Sequence, residues 1–284
     1  MTNAYKKTIS SLARTEDEEI LLSHVTDLLD RSDYDTVSTD FLNLSEQYLV
    51  RSLLTRCGRV ENLHFTFYGG YPYAERRILF LFPEYVSDTV AAVSPAEQGA
   101  FCVSLCVAED RIGALSVHGS GYRSLSHRDY LGSLLSLGIE RSVVGDISVS
   151  DNTHAVMFLK STMCGYVSSV LERVGADKIH LSPLTCEQMQ ALPDRRKYEI
   201  ISDTIASPRL DAIVSVCANV SRDKAKQLVT SGLTDVDFRP LVRPDAEIVP
   251  GMYLSIRGYG RFYFDAIDGT SKKGRLRVRL KKTV

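Results

Sequence analysis

Residues 209–232 read RLDAIVSVCANVSRDKAKQLVTSG. Leu210, Ile213, Val214 and Cys217 stand at i, i+3, i+4 and i+7, a single stripe along a helix. Ser221 is a helix N-cap, and Ala225, Leu228 and Val229 form the buried face of a second helix that Gly232 stops. At about 100° per residue, Arg222 and Lys226 fall beside that buried face on one flank, and Lys224 on the other. The apolar residues are used in packing; the cations are left on the rim.

Those cations belong to a basic end of a chain whose formal net charge is -1. From Ser207 onward there are 15 Lys and Arg against 8 Asp and Glu, a net +7, which leaves -8 for residues 1–206. A polyanion therefore meets a basic tail on an acidic body. Beyond the two helices, LTDVDF, MYLSIRG, RFYFDAI and GRLRVRLKK read as strands. In the last, Leu276, Val278 and Leu280 take one face while Lys273, Arg275, Arg277, Arg279 and Lys281 take the other. Like charges stacked this closely repel, which weakens their reading as plain solubilising surface.

Outward from this block, 284 residues suit two or three domains. The expected fold class is α+β and multi-domain: an N-terminal α/β region (1–95), a central split-βαβ-like α/β sandwich (96–190), a connector (191–206), and a small C-terminal domain of two helices on a twisted sheet (207–284). In the first block EDEEILLSHVTDLLD carries Ile20, Leu21, Val25, Leu28 and Leu29 at helical spacing, and SEQYLVRSLLTRC is a second helix. HFTFYGGYPYAERRILFLFPEY reads as strand, turn, strand. In the central block FCVSLCVA, ALSVHG, GDISVS, HAVMFLK and KIHLSPL read as strands, with LSHRDYLGSLLSLGI and GYVSSVLERVGA as helices. The connector carries alternating apolar residues at 199–205, which also suits a strand.

Several motifs invite chemistry and fall short of it. His127-Arg128-Asp129 matches a kinase catalytic loop, but Leu134 stands where the magnesium-holding Asn is needed; Ser126 and Asp129 read instead as a capping box, stapled by Leu125 and Tyr130. GSGYRS (119–124) is half of a dinucleotide fingerprint and reads as a loop. His118, His154 and His180 fall in strands without evident partners and read as satisfied structural histidines. Arg209-Leu210-Asp211 resembles the catalytic triplet of a pseudouridine synthase, but Val214 and Val216 follow where that motif continues with Thr or Ser and Gly. A helix-opening charge is the simpler role for Asp211. Six cysteines lack any CxxC pair and read as buried free thiols of a reducing compartment. The longest apolar run, ILFLF, is too short to span a bilayer, so a cytoplasmic location is expected. No catalytic residue, metal site or cofactor is expected.

Arg209-Leu210-Asp211, Ser221-Arg222, Ala225, Leu228 and Gly232, followed by a strand centred on Val236 and its turn, resemble the RNA-binding domain of ribosomal protein S-four. The chain departs from that family at LTDVDF, where Val-x-Val-Asn-Gly is usual, and at Pro250-Gly251-Met252, where Gly-Asp is usual. Together with GGYPYAERR (69–77), LSHRDYLGSLLSLGIERSVVGDI (125–147) and IRGYGRF (256–262), the order of blocks resembles the YlmH family over most of the chain. The resemblance implies a cytoplasmic, non-catalytic protein that binds structured ribosomal RNA and tRNA, with a central domain also regarded as an RNA binder. It further implies association with the large ribosomal subunit in handling stalled nascent chains. By match to the motif, Arg209 and Arg222 are the first expected RNA contacts, with Lys226 beside them and Lys224 on the other flank. Arg257 and Arg261 bracket a Gly-Tyr-Gly turn, and Arg275, Arg277 and Arg279 extend the surface. With few aromatics free to stack, phosphate and shape recognition are expected over base readout. The competing classes are an RNA-modifying enzyme whose catalytic part lies in 1–190 and a protein–protein adaptor with a basic tail.

Overall fold

The computed structural model describes residues 3–151 and 153–283, which divide into two units, 1–195 and 196–284. Helices and several sheets mix in an α+β pattern.

The first unit opens with α1 (Asn3–Leu12), α2 (Glu16–Ser32), β1 (Val37–Leu42) and α3 (Leu44–Arg56), followed by β2 (Phe65–Tyr68) and β3 (Arg77–Leu81). Local chemistry sets the helix starts. Thr15 accepts the Glu18 N–H ahead of α2, and Asn43 with Glu46 forms a reciprocal capping box ahead of α3. The strands form an antiparallel sheet ordered β1-β3-β2. Leu22, Val25, Leu28 and Leu29 of α2 join Leu49, Leu53 and Leu54 of α3 on one face of it. Ile20, expected in that stripe, is instead exposed, and Leu22 takes its place. The stripe is displaced because α2 packs through 22, 25, 28 and 29.

Then come α4 (Glu84–Ala91), α5 (Gln98–Ala108), β4 (Ile112–Gly119), α6 (His127–Ser136), β5 (Val144–Val149), β6 (His154–Lys160), α7 (Ser161–Val170), β7 (Arg173–Val174), β8 (Asp177–Pro183) and α8 (Cys186–Gln190). Residues 101–108, expected as a strand, are helical in α5. A nearly continuous apolar run carries no period that separates strand from helix, and the eleven-residue element favours the helix. Cys102 and Cys106 still share a buried face, now through i, i+4 spacing. The second expected helix also stops early: Arg173 and Val174 pair with β8.

The central sheet is antiparallel throughout and ordered β5-β6-β4-β8-β7. Its two faces differ. Leu115, Val117 and Met157 pack against Tyr130 and Leu134 of α6 and Val167 of α7. On the other face Ile112, Ala114, Val156 and Phe158 share a core with Phe41, Ile78 and Phe80 of the first sheet, and with Cys102 and Cys106. Gly70, at φ +94°, lies under this contact; a Cβ there would come within 3 Å of Phe158 and Ile112.

The second unit comprises β9 (Tyr198–Ile205), α9 (Leu210–Ala218), α10 (Arg222–Thr230), β10 (Thr234–Val236), β11 (Arg239–Pro240), β12 (Tyr253–Ile256), β13 (Gly260–Thr270) and β14 (Leu276–Thr283). The sheet order is β11-β10-β12-β13-β14-β9. Residues 198–205, part of the expected connector, form the strand that their alternation allowed and pair with β14 from Tyr198–Thr283 to Ile205–Leu276. Leu210, Ile213, Val214, Cys217, Ala225, Leu228 and Val229 pack on Leu254, Phe262, Phe264, Val278 and Leu280. Helix α10 ends as its sequence suggests. The Gly232 N–H reaches Val229 O and the Leu233 N–H reaches Leu228 O, with Gly232 at φ +67°.

Candidate nucleic-acid interface

The two expected arginines meet at one carboxylate. Arg209 occupies the N-cap of α9 without a side-chain cap, so the first helical N–H groups need other acceptors. The segment after Val242 supplies them: Leu210 N–H donates to Ala246 O at 2.8 Å and Asp211 N–H to Pro244 O at 2.9 Å. Asp211 is thereby fixed with its side chain fully buried. Its Oδ1 accepts from Arg222 Nη2 at 2.8 Å and lies 3.4 Å from Arg209 Nε. Burial pushes the Asp211 carboxyl up, but the hydrogen bond and charge of Arg222, then the charge of Arg209, hold it below the usual carboxylate range. Both guanidinium groups remain half-exposed. One acid serving two arginines leaves a surplus positive charge, and the burial of that acid turns the surplus outward.

Lys224 and Lys226 are exposed on α10 and make no side-chain hydrogen bond or ion pair among the described residues. Arg257 lies near the other end of α10, its N–H donating to Leu233 O. The remaining expected contacts sit on a different face. Val278, Leu280, Phe262 and Phe264 point at the helices, so Arg277, Arg279 and Arg261 point away from them. There Arg279 pairs with Asp265 at 2.6 Å and Asp268 at 2.9 Å, and Lys281 pairs with Asp265 at 2.5 Å. Arg275 donates to Thr204 O. The repulsion expected along β14 is met by acids on β13, the neighbouring strand, which the pattern of β14 alone could not show. Arg209, Arg222, Lys224 and Lys226 thus belong to the helix layer, while Arg261, Arg277 and Arg279 stand on the opposite face of the sheet.

That second face also carries rings. Phe238 and Tyr253 lie 5.6 Å apart, Tyr253 and Tyr263 4.9 Å, and the Arg261 guanidinium sits 5.8 Å above Phe238. The expectation of few aromatics missed this row because its members come from three separate segments. Asp237 and Phe238 form a two-residue turn at φ +45° and +63°, the conformation for which Asn-Gly is favoured. A phenylalanine there carries strain on the order of 1–2 kcal/mol.

In the first unit, the motifs GGYPYAERR and GDI are joined to each other. Asp146 accepts from Tyr71 Oη at 3.0 Å and from the Glu75 and Arg76 N–H groups at 2.8 and 3.0 Å. Arg76 reaches the carbonyls of Val144, Phe41 and Arg141. Burial lowers Arg76 and pushes Arg141 down to about 10, with Arg76's charge adding to the Arg141 shift. These residues hold two sheets together and spend their polar groups inside the protein. Asp129 accepts from the Ser126 N–H and hydroxyl at 2.7 Å, so His127-Arg128-Asp129 opens a helix. Burial pushes the Cys102 thiol up to about 11 and raises Cys106 and Cys217 further, the opposite of a nucleophile's need. Cys57 and Cys164 are partly buried and Cys186 is exposed. Among the described residues no group of three His, Cys, Asp or Glu could hold a metal ion, and no helix is long and apolar enough to cross a membrane.

The chain is 31% identical over 245 residues to the Bacillus subtilis (strain 168) protein named ribosome-associated protein quality control protein P2, covering 84% of each. The family model described as "Putative RNA-binding domain in YlmH" matches residues 115–188. The chain belongs to the YlmH family. A solved structure titled cell division protein ylmH from Streptococcus pneumoniae is similar at a TM-score of 0.45 and 17% identity, over 63% of this chain and 97% of that one. The YlmH match runs from Leu115 in β4 to Gln188 in α8, so it spans the central sheet and leaves the Arg209–Asp211–Arg222 cluster outside. The sheet contains histidines that sequence reasoning set aside. His118 pairs in register with both His154 and His180, and all three are exposed.

Proposed function

We propose that this YlmH-family chain is a non-catalytic RNA-binding protein that acts on ribosomes in quality control of translation. The observation that carries the reading is the Arg209–Asp211–Arg222 cluster, where a buried acid presents two half-exposed guanidinium forks suited to phosphate oxygens. The C-terminal unit serves as an S-four-type RNA-binding domain, supported by its helix pair on a sheet and by Arg209-Leu210-Asp211 and Ser221-Arg222. The run β4-α6-β5-β6-α7-β8 serves as a split-βαβ domain and a second RNA contact, supported by its strand order and by the family description. Its RNAs are structured ribosomal RNA and tRNA, on the large ribosomal subunit, where stalled nascent chains are handled; the name of the Bacillus subtilis relative supports the ribosomal part of this. Arg257, Lys224 and Lys226 extend the helix-side surface. Arg261, Arg275, Arg277 and Arg279 form a secondary surface, Arg279 being the weakest contact because its charge is already matched. Against the competing pseudouridine-synthase-like reading, Asp211 is fully buried and tied to two arginines.

Sequencing the RNA that co-purifies with the chain tests this reading. Ribosomal RNA and tRNA are expected; modified product would favour an enzyme, and no RNA would favour an adaptor. With about five phosphates neutralised, the logarithm of the binding constant falls against log salt with a slope near about -3.5 to -4.5. A slope near zero overturns the electrostatic basis. Replacing both arginines with Ala is a poor probe, because it strands the buried Asp211 carboxylate. Arg209→Lys with Arg222→Lys keeps the charge and removes the forks, and should weaken binding to a structured RNA.

A further inference from the structure

The central sheet has one face half covered and half open. Ile112, Ala114 and Phe158 lie under the core shared with the first sheet. Farther along the same strands and the same face stand Ser116, His118, His154, His180 and Ser182, because Ser116 pairs with Ser182 and His118 with both His154 and His180. The helices α6 and α7 cannot cover this half, since they pack on the opposite face. The His118 and His154 rings meet edge to face at 4.6 Å, and His118 shares a hydrogen bond with Ser116 Oγ at 3.2 Å. The His154 side chain is 51% exposed. Three imidazoles in a row across adjacent strands therefore present ring faces and edges to solvent.

The charges around the row are uneven. Lys178 precedes His180 by two residues on β8 and so shares its face, and Arg173 pairs with Lys178; both are exposed. The turn after β4 brings Arg123 and Tyr122, which is 93% exposed, to the same end of the sheet. That turn is held by Asp177, whose carboxylate accepts from the Ser120 N–H and hydroxyl and so is spent inside the protein. Asp151 faces His154 at 3.2 Å and is also bound by Thr153, and Glu172 lies one residue before Arg173. His118 and His180 have no acid paired with them among the described residues.

We infer that this open half-face binds a short single-stranded stretch of RNA, with bases stacked on His118 and His180 and the phosphate backbone running toward Lys178 and Arg173. Histidine suits both tasks, since its ring stacks on unpaired bases and its N–H groups donate to phosphate or base edges. A sheet face bearing two or three aromatic side chains is a general platform for unstacked bases. The inference rests on the reading of the chain as an RNA-binding protein, and adds to the arginine cluster a second site with a different preference.

The test uses the full chain and two labelled probes: a short single-stranded RNA of mixed sequence and a fully paired RNA hairpin. His118→Ala with His180→Ala should weaken the single-stranded probe by about tenfold or more and leave the hairpin nearly unchanged. His118→Phe with His180→Phe should restore much of the loss, because it keeps the stacking surface. These side chains are exposed, so an unaltered circular dichroism spectrum and unfolding midpoint are expected in both variants. Parental binding of the single-stranded probe by the Ala variant overturns the site while leaving RNA binding standing. So does a parent that binds the hairpin alone. Displacement of the single-stranded probe by poly-glutamate as readily as by unlabelled RNA overturns it in favour of an acidic protein partner. A parent that binds neither probe removes the underlying reading as well.

Discussion

Two aspartates in the second unit each hold two cations, and they do opposite things with them. Asp211 is fully buried, and its arginines project to the surface around it. Asp265 is 15% exposed and lies among Arg279 and Lys281, with Asp268 taking a second bond from Arg279. At the first, one negative charge is hidden beneath two positive ones; at the second, two acids and two bases cancel at the surface. A count of lysines and arginines treats the two alike. What a polyanion meets is set by where the acids are.

The largest expected effect separates the two sites by stability. Arg222→Ala leaves Asp211 with only the 3.4 Å contact to Arg209 and should cost roughly 2–3 kcal/mol, less than for a fully enclosed pair because Arg222 reaches water. Urea unfolding of the chain measures it. Arg279→Ala should leave the midpoint close to the parent's, since exposed ion pairs contribute little. Equal losses would erase the distinction.

A smaller effect is read from salt. Arg209→Gln, which leaves Arg222 on Asp211, should reduce the slope of RNA binding against log salt by about one contact, roughly 0.7–0.9, whereas Arg279→Ala should barely change it. Asp265→Asn sharpens the comparison from the other side. Releasing Arg279 and Lys281 from their shared acid should strengthen RNA binding several-fold at low salt, roughly the value of one added phosphate contact.

Acid supplies the smallest effect. Asp211 is depressed by Arg222 and Arg209 against its burial, and Asp265 is depressed by its hydrogen bonds to Lys281 and Arg279. A carboxyl depressed in the folded state contributes stability that is fully present above its unfolded value, near about 4, and is lost as pH falls through the folded value. Asp237 is raised by burial and works in the opposite sense, so acidification relieves part of its cost. A net loss of stability below about pH 4 is expected, and Asp211→Asn and Asp265→Asn should each flatten it. Unfolding midpoints across the acid range check this.

Much of this was legible in residues 209–232. The spacing of Leu210, Ile213, Val214, Cys217, Ala225, Leu228 and Val229 selects two helices and the face each one buries, and the structure buries all seven. The sequence shows Asp211 as a helix-opening charge but not its junction with Arg209 and Arg222, which joins positions up to eleven residues apart through a helix corner. Residues 101–108 suggest a strand and form a helix, because a dense apolar run has no period. The acids that match Arg279 and the histidines that flank His118 come from neighbouring strands, and strand register is not written in any one strand. The His118, His154 and His180 row appears only once β6, β4 and β8 are placed side by side.

The pairing of β9 with β14 has a consequence for how the second unit is made. Tyr198 pairs opposite Thr283, and β9 borders β14 alone among the described strands, so the first strand of the sheet stays unpaired until its last strand has been synthesised. Contacts this distant in sequence close late and slow folding, since loop closure must precede any gain from pairing. During translation α9 and α10 emerge well before β14, without Val278 and Leu280 to pack upon. The arginine cluster is therefore assembled early in sequence but steadied late, when the final strand leaves the ribosome that made it.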